Sequence, residues 1–98
     1  MKFIFSDEFH ESLDAIEDFI GQDSPNRALN FTHNLWRKIE TIPFMPYRFR
    51  KKQNFNDENI RDLIYKGHTI PFEIREDIII ILDIYNHNIK SRFANSTD

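Results

Sequence analysis

The residues of this chain whose types and spacing best suit chemistry lie in one short stretch, residues 47–52. Four of the chain's 13 basic residues fall within five positions there, and two aromatic residues are interleaved with them. The basic residues are Arg48, Arg50, Lys51 and Lys52, and the aromatic residues are Tyr47 and Phe49. Cations beside aromatic rings suit contact with RNA, DNA or an acidic protein. Charged loops are also commonly only solvated, and that alternative stays open.

The composition limits what this stretch can do. The net charge is −3, whereas a general nucleic-acid binder usually carries an excess of Lys and Arg, so any such role must rest on the local cluster. The absence of cysteine excludes a disulfide framework and a thiolate metal site. The four histidines, His10, His33, His68 and His87, do not have metal-ligand spacing. We therefore predict no metal and no cofactor.

Length and hydropathy indicate one domain over residues 1–98. Forty per cent of the residues are hydrophobic and ten are Phe, enough for a small packed core. The longest apolar run, residues 78–82, is far too short to span a bilayer. The first residues turn acidic without a cleavage site, which is not typical of a signal peptide. We expect a cytoplasmic protein with no membrane partner.

Two amphipathic helices are predicted in the first half of the chain. Ser6 suits the N-cap of a helix over roughly residues 7–20, and Gly21 is expected to end it. Ser24 and Pro25 suit the start of a second helix. Its buried stripe should comprise Ala28, Phe31, Leu35, Ile39 and Ile42. The short connection predicts an antiparallel hairpin, whose apolar stripes need a covering sheet.

The second half of the chain predicts strands. Residues 60–65 and 69–75 alternate in polarity around a tight turn at Lys66-Gly67, and residues 78–85 read as one buried strand. Pro71 cannot donate a ladder hydrogen bond and should lie at a non-pairing position or a bulge. The sequence thus predicts an α+β fold in which an antiparallel helix hairpin packs on a twisted, mainly antiparallel sheet of four or five strands.

The order of these elements resembles the RelE/ParE superfamily of bacterial toxins. The similarity rests on three segments: IRDLIYKGHTI at residues 60–70, FEI at 72–74 and IILDIYNH at 80–87. It implies the toxin of a type II toxin–antitoxin system, neutralised by a cognate antitoxin. The superfamily contains a RelE-like branch that cleaves mRNA in the ribosomal A site and a ParE-like branch that poisons DNA gyrase.

The resemblance also identifies candidate residues for the nuclease alternative. RelE-like toxins typically place an arginine just after the glycine turn, where this chain has Thr69. Arg61 or Arg75 could replace that phosphate ligand if both project from the same exposed strand face. Tyr85 or His87 would then move the proton. Because Thr69 carries no charge and the chain is acidic overall, we favour a ParE-like, non-nuclease toxin.

The expected partners follow from the same resemblance. We predict binding by a partly disordered antitoxin that folds on contact. The expected assemblies are a toxin homodimer or a hetero-oligomer of the toxin with the antitoxin. Trp36 on the second helix is more often the edge of a core, but an exposed Trp there would be a candidate antitoxin contact. A third alternative is a degenerate toxin that only binds its antitoxin and regulates their operon.

Overall fold

A computed structural model describes residues 1–86 of the chain, so His87 lies outside the described residues. The elements follow one another in the order β1 (Lys2–Phe5), α1 (Asp7–Asp23), α2 (Pro25–Ile39), β2 (Arg50–Lys51), β3 (Ile60–Tyr65), β4 (His68–Arg75), β5 (Ile78–Ile81) and β6 (Tyr85–Asn86). Two short 3₁₀ turns, Ile42–Phe44 and Pro46–Arg48, join α2 to β2. No helix among the described residues is long and apolar enough to cross a membrane.

Serine caps begin both helices, as the sequence predicts. The Ser6 hydroxyl accepts from the Phe9 N–H at 3.0 Å, and the Ser24 hydroxyl accepts from the Arg27 N–H at 3.2 Å. The expected stop at Gly21 is wrong, because α1 continues to Asp23. Gly21 lies where the two helices approach, since a Cβ placed on it would be 3.8 Å from that of Ala28. An added Cβ would make an ordinary van der Waals contact there, so Gly21 is an interior helical residue whose position does not require glycine.

The sheet confirms the predicted α+β fold class. Its order is β1-β5-β4-β3-β2, and β6 pairs with β4 beyond the end of β5. β1 runs parallel to β5, and the other pairs are antiparallel. The six strands described exceed the expected four or five because β2 and β6, each of two residues, form in segments that were predicted as loop and as strand end.

The core lies between the helix hairpin and one face of the sheet. Alternation along the strands directs Leu63, Ile70 and Phe72 to the helices, where Phe9 and Leu35 are fully buried. Most of the predicted α2 stripe is buried, and Ala28 is half-buried. The buried Tyr65 hydroxyl on β3 donates to the Phe31 carbonyl at 2.9 Å and so ties the sheet to α2. The turn at Lys66-Gly67 has positive φ at both residues, as a tight hairpin requires.

The predicted continuous strand over residues 78–85 is wrong, since β5 ends at Ile81. Phe72 pairs with Ile81 and Thr69 with Tyr85, so the three residues 82–84 lie opposite the two residues 70–71. This is a bulge, and Pro71 lies beside it. The Leu82 N–H donates to the Pro71 carbonyl at 2.9 Å. The reciprocal bond cannot form, because proline has no N–H on that side of the strand.

Helix α1 supplies the donor that Pro71 lacks. The Ser6 hydroxyl donates to the Leu82 carbonyl at 2.7 Å, and the Ser6 N–H donates to the Ile81 carbonyl at 3.0 Å. Asp83 in the bulge is buried and accepts from the Ser12 hydroxyl of α1 at 2.7 Å. The interruption of the last strand is therefore also the attachment point of the first helix.

This double role makes Ser6 a stronger determinant of stability than an ordinary cap. We expect Ser6→Ala to lower the free energy of unfolding by about 2–3 kcal/mol, because it removes a cap and leaves the Leu82 carbonyl without its donor. Ser24→Ala is the matched control, since Ser24 caps α2 only, and should cost about 1 kcal/mol. Urea unfolding measures both, and equal losses would show that the Ser6–Leu82 bond contributes nothing.

Candidate functional site

A polar cluster occupies the face of the sheet that points away from the helices. It consists of Arg50 on β2, Lys52 just beyond it, Asp62 on β3 and Tyr85 on β6, and we name it the sheet-face cluster. Asp62 lies on this face because its neighbour Leu63 points to the core. Arg50 pairs directly with Asp62 in the strand register.

Two of the three charged side chains of the sheet-face cluster are enclosed. Lys52 and Asp62 are only 5% and 4% exposed. The Lys52 ammonium donates to the Tyr85 hydroxyl at 2.6 Å and lies 3.6 Å from one carboxylate oxygen of Asp62. The other oxygen of Asp62 lies 3.6 Å from the Arg50 guanidinium, which is about half-exposed. Asp62 thus forms ion pairs with two of the four basic residues of the predicted stretch, Arg50 and Lys52.

Thr69 occupies the position that carries an arginine in RelE-like toxins. It is buried on β4, between Ile64 of β3 and Tyr85 of β6 in the strand register. A buried threonine cannot supply positive charge to a phosphate, and its surroundings on both sides are neighbouring strands.

Arg61 and Arg75 do not share a strand face, so that expectation is wrong. Arg61 pairs with Phe72, and both lie on the helix side of the sheet, whereas Arg75 alternates to the other side from Ile74. The Arg61 guanidinium donates to the carbonyls of Tyr47, Phe49 and Glu58 at 2.8–3.2 Å. Those bonds hold the 3₁₀ turns against β3, and they occupy the donors that a phosphate would need.

Arg75 lies far from Tyr85. It is exposed at the end of β4 and pairs with Glu73 at 2.9 Å. Tyr85 pairs with Thr69, and Thr69 precedes Arg75 by six residues on β4, which corresponds to about 20 Å along the strand. The described residues therefore do not bring Arg61, Arg75 and Tyr85 together. His87 lies outside the described residues, and its role stays a prediction.

The predicted basic stretch forms several separate contacts. Arg48 stacks on the Phe49 ring, with 4.2 Å from its guanidinium carbon to the ring centroid. Lys51 points to the opposite side of the sheet from Arg50 and pairs with Glu58 at 3.4 Å. Tyr47 is exposed and donates to the Asn59 side chain at 2.6 Å. Arg48, Lys51 and Tyr47 remain accessible to a partner, whereas Lys52 does not.

Trp36 lies at the edge of the core. Its ring meets Phe5 and Phe9 edge-on, with centroid distances of 5.1 and 5.9 Å. Only part of the Trp36 side chain is exposed. This packing matches the ordinary interpretation of the residue, and a contact with an antitoxin stays a prediction.

Asp62 is the site residue that sequence reasoning missed. Its polarity fits the outward position of an alternating strand, so the sequence alone gives no reason to expect burial. The signal lies in the pairing of β2 with β3, which places Arg50 and Lys52 around it, and a two-residue strand has no sequence signature. Within residues 1–86, no three His, Asp or Glu side chains are grouped so that they could hold a metal ion.

Comparison with known proteins identifies the family. The model of the ParE toxin of type II toxin–antitoxin systems, parDE, matches residues 3–90. Among solved structures, the chain is similar to the chromosomal ParDE toxin–antitoxin system from P. aeruginosa, at 19% identity and a TM-score of 0.70, over 88% of this chain and 95% of that chain. It is also similar to the conserved hypothetical protein HP0894 from Helicobacter pylori, at 18% identity and a TM-score of 0.56, over 90% and 96%. The search of curated proteins finds no match.

The chain belongs to the ParE toxin family of type II toxin–antitoxin systems, since the family model covers almost its whole length. This confirms the predicted RelE/ParE resemblance. The two solved structures share less than 25% of their sequence with it and support the fold.

The enclosure of Lys52 predicts strong energetic coupling to Asp62. Lys52→Met and Asp62→Asn should each lower the free energy of unfolding by about 3–5 kcal/mol, because each removes one member of a buried ion pair and leaves the other charge enclosed. The double variant should lose clearly less than the sum, with a coupling of about 2 kcal/mol. The exposed pair Lys51–Glu58 is the control, and Lys51→Met with Glu58→Gln should show little coupling. Additive losses at Lys52 and Asp62 would mean that the two charges do not interact.

Proposed function

We propose that this chain is a cytoplasmic growth-inhibiting toxin with a protein target, a ParE-like poison of DNA gyrase, and that a cognate antitoxin neutralises it. Exposed residues of the basic stretch, Tyr47, Arg48 and Lys51, would contribute to contacts with the target or the antitoxin. These three residues are accessible and combine aromatic and cationic side chains, which suits a contact with another protein.

The observation that carries this proposal is that Lys52 and Arg61, which could bind a phosphate, are already engaged by other groups of the protein. A ribonuclease must stabilise negative charge on the phosphate in the transition state, which requires preorganised cations or other donors that are open to the substrate. Lys52 is enclosed with Asp62 and Tyr85, and the Arg61 guanidinium is occupied by backbone carbonyls. Thr69 is neutral where RelE-like toxins typically have an arginine. These features favour a target that does not require phosphoryl chemistry.

The second candidate function is a ribosome-dependent mRNA endonuclease, and one contact favours it. The Lys52 ammonium and the Tyr85 hydroxyl are 2.6 Å apart, within the distance for proton transfer, and Arg50 is nearby through Asp62. In this alternative Tyr85 or His87 would move the proton, and Arg61 or Arg75 would have to leave its present partners to bind phosphate.

Induction of the toxin in cells distinguishes the two functions. We expect growth arrest with a DNA-damage response and, with purified toxin, inhibition of gyrase-catalysed supercoiling. Primer extension on cellular mRNA should show no cleavage in codon register. Growth arrest should persist in Tyr85→Phe and His87→Ala, provided that thermal unfolding shows both variants folded at the growth temperature.

Codon-register cleavage that Tyr85→Phe or His87→Ala reduces by about 10²–10⁴ would reject the gyrase proposal and support the nuclease. Antitoxin binding without growth arrest would instead indicate the degenerate toxin that acts only in operon regulation.

A further inference from the structure

A shallow groove lies at the C-terminal end of α2, on the helix side of the molecule and away from the sheet-face cluster. We name it the α2-end groove. Its lining includes Arg37, Lys38, Glu40, Phe44, Tyr65 and Lys66. These residues come from the end of α2 with the 3₁₀ turn that follows it and from the β3–β4 hairpin, so two segments that are distant in sequence meet there.

The apolar part of the α2-end groove is open to solvent. Phe44 is 82% exposed, and the next residue, Met45, is 64% exposed. Proline residues on either side, Pro43 and Pro46, restrict the backbone of this segment. Adjacent exposed Phe and Met side chains on a constrained turn are typical of the centre of a protein–protein contact.

The rim of the groove carries cations that lack acidic partners. Within residues 1–86, Arg37, Lys38 and Lys66 form no ion pair, and Glu40 is the single acidic residue of the lining. By contrast, six basic residues elsewhere each have a carboxylate within 4 Å, namely Arg27, Arg50, Lys51, Lys52, Arg61 and Arg75. Of the five basic residues within 1–86 that form no ion pair, three lie at the groove, and the other two are Lys2 and Arg48.

Tyr65 forms an uncharged part of the floor of the groove. Burial raises the pKa of the Tyr65 hydroxyl above its usual value, which further favours the neutral phenol. Its hydroxyl donates to the Phe31 carbonyl and fixes the ring against α2. A ligand in the groove thus meets the edge of a hydrogen-bonded tyrosine between cationic side chains, of which Lys66 lies over the Tyr65 ring at 5.6 Å.

Helix α1 carries the opposite charge. Seven of its 17 residues are Asp or Glu, and none is Lys or Arg. An acidic polypeptide is repelled from α1 and attracted to the α2-end groove, and such charge asymmetry orients a partner during encounter.

We propose that the α2-end groove docks an acidic segment of the cognate antitoxin, with an apolar side chain of that segment against Phe44. This inference rests on the proposed function, in which an antitoxin neutralises the chain. The exposed Phe44, with the exposed Met45 next to it in the chain, favours a polypeptide over a nucleic acid, because a polypeptide can place apolar side chains against both residues, whereas a phosphate backbone offers none.

Affinity for the purified cognate antitoxin, the product of the neighbouring reading frame, tests the proposal by calorimetry. Arg37→Glu combined with Lys38→Glu should weaken binding about 10- to 100-fold, with a smaller salt dependence than the natural sequence has. Phe44→Ser should weaken binding about 10- to 30-fold without changing the salt dependence. Phe44→Ser also keeps the test independent of the helix end, whose stability Arg37 and Lys38 support.

Matched controls lie elsewhere on the helices. Arg27→Glu reverses an exposed charge on α2, and Phe19→Ser removes a ring that is 76% exposed on α1. Both should bind the antitoxin as the natural chain does. Unchanged affinity in the groove variants, with growth arrest retained, would overturn the docking proposal and leave the proposed function intact.

Loss of growth arrest in folded groove variants that bind the antitoxin normally would also overturn the proposal, since the groove would then serve the target. If a DNA or RNA oligonucleotide binds as tightly as the antitoxin does, and both groove variants lose that binding, the groove would be assigned to nucleic acid. Absence of growth arrest from the natural chain would contradict the proposed function, whatever the antitoxin binds.

Discussion

The missing N–H of Pro71 is the constraint on which the arrangement of this molecule depends. β4 is central in the sheet and pairs with β3, β5 and β6. A proline in such a strand removes one ladder bond and leaves the facing carbonyl, that of Leu82, without its usual donor. The Ser6 hydroxyl fills that place at 2.7 Å. A single absent donor in the sheet thus fixes where the first helix begins.

The bulge beside Pro71 has a second consequence on the opposite face of the sheet. The extra residue in segment 82–84 shifts the register, so Tyr85, and not Ile84, pairs with Thr69. The Tyr85 hydroxyl then accepts a hydrogen bond from the Lys52 ammonium. Asp62 on β3 holds the same ammonium and the Arg50 guanidinium. The chain contains the residue types of a nuclease site, but the fold uses their charges for its own stability.

Several features could be predicted from the sequence because each is encoded locally. The caps at Ser6 and Ser24, the hairpin at Gly67 and the apolar stripe of α2 depend on residues close together in the chain. The position of Pro71 beside a bulge followed from the chemistry of proline alone. These signals are enough to fix the α+β class, and the family assignment agrees with it.

The features that escaped prediction depend on pairing between distant segments. Gly21 appeared to be a helix end, but α1 continues to Asp23, and Ser24 both ends α1 and caps α2. Burial of Asp62 and Lys52 requires β2, whose two residues leave no periodic pattern. Arg61 and Arg75 were expected on one face, although the register of β3 with β4 places them on opposite faces. Site residues therefore need the strand register, which a single sequence does not provide.

The proposal of a non-nuclease toxin depends most directly on the enclosure of the Lys52 ammonium, since a buried and paired cation is not open to a phosphate. Nitrogen-edited NMR can follow the exchange of lysine ammonium protons with water near neutral pH. We expect one slowly exchanging ammonium, assigned to Lys52, whose protection is lost in Asp62→Asn and reduced in Tyr85→Phe. If the Lys52 ammonium exchanges as fast as that of the exposed Lys2, the cation is open to solvent and to a phosphate, which would contradict its enclosure.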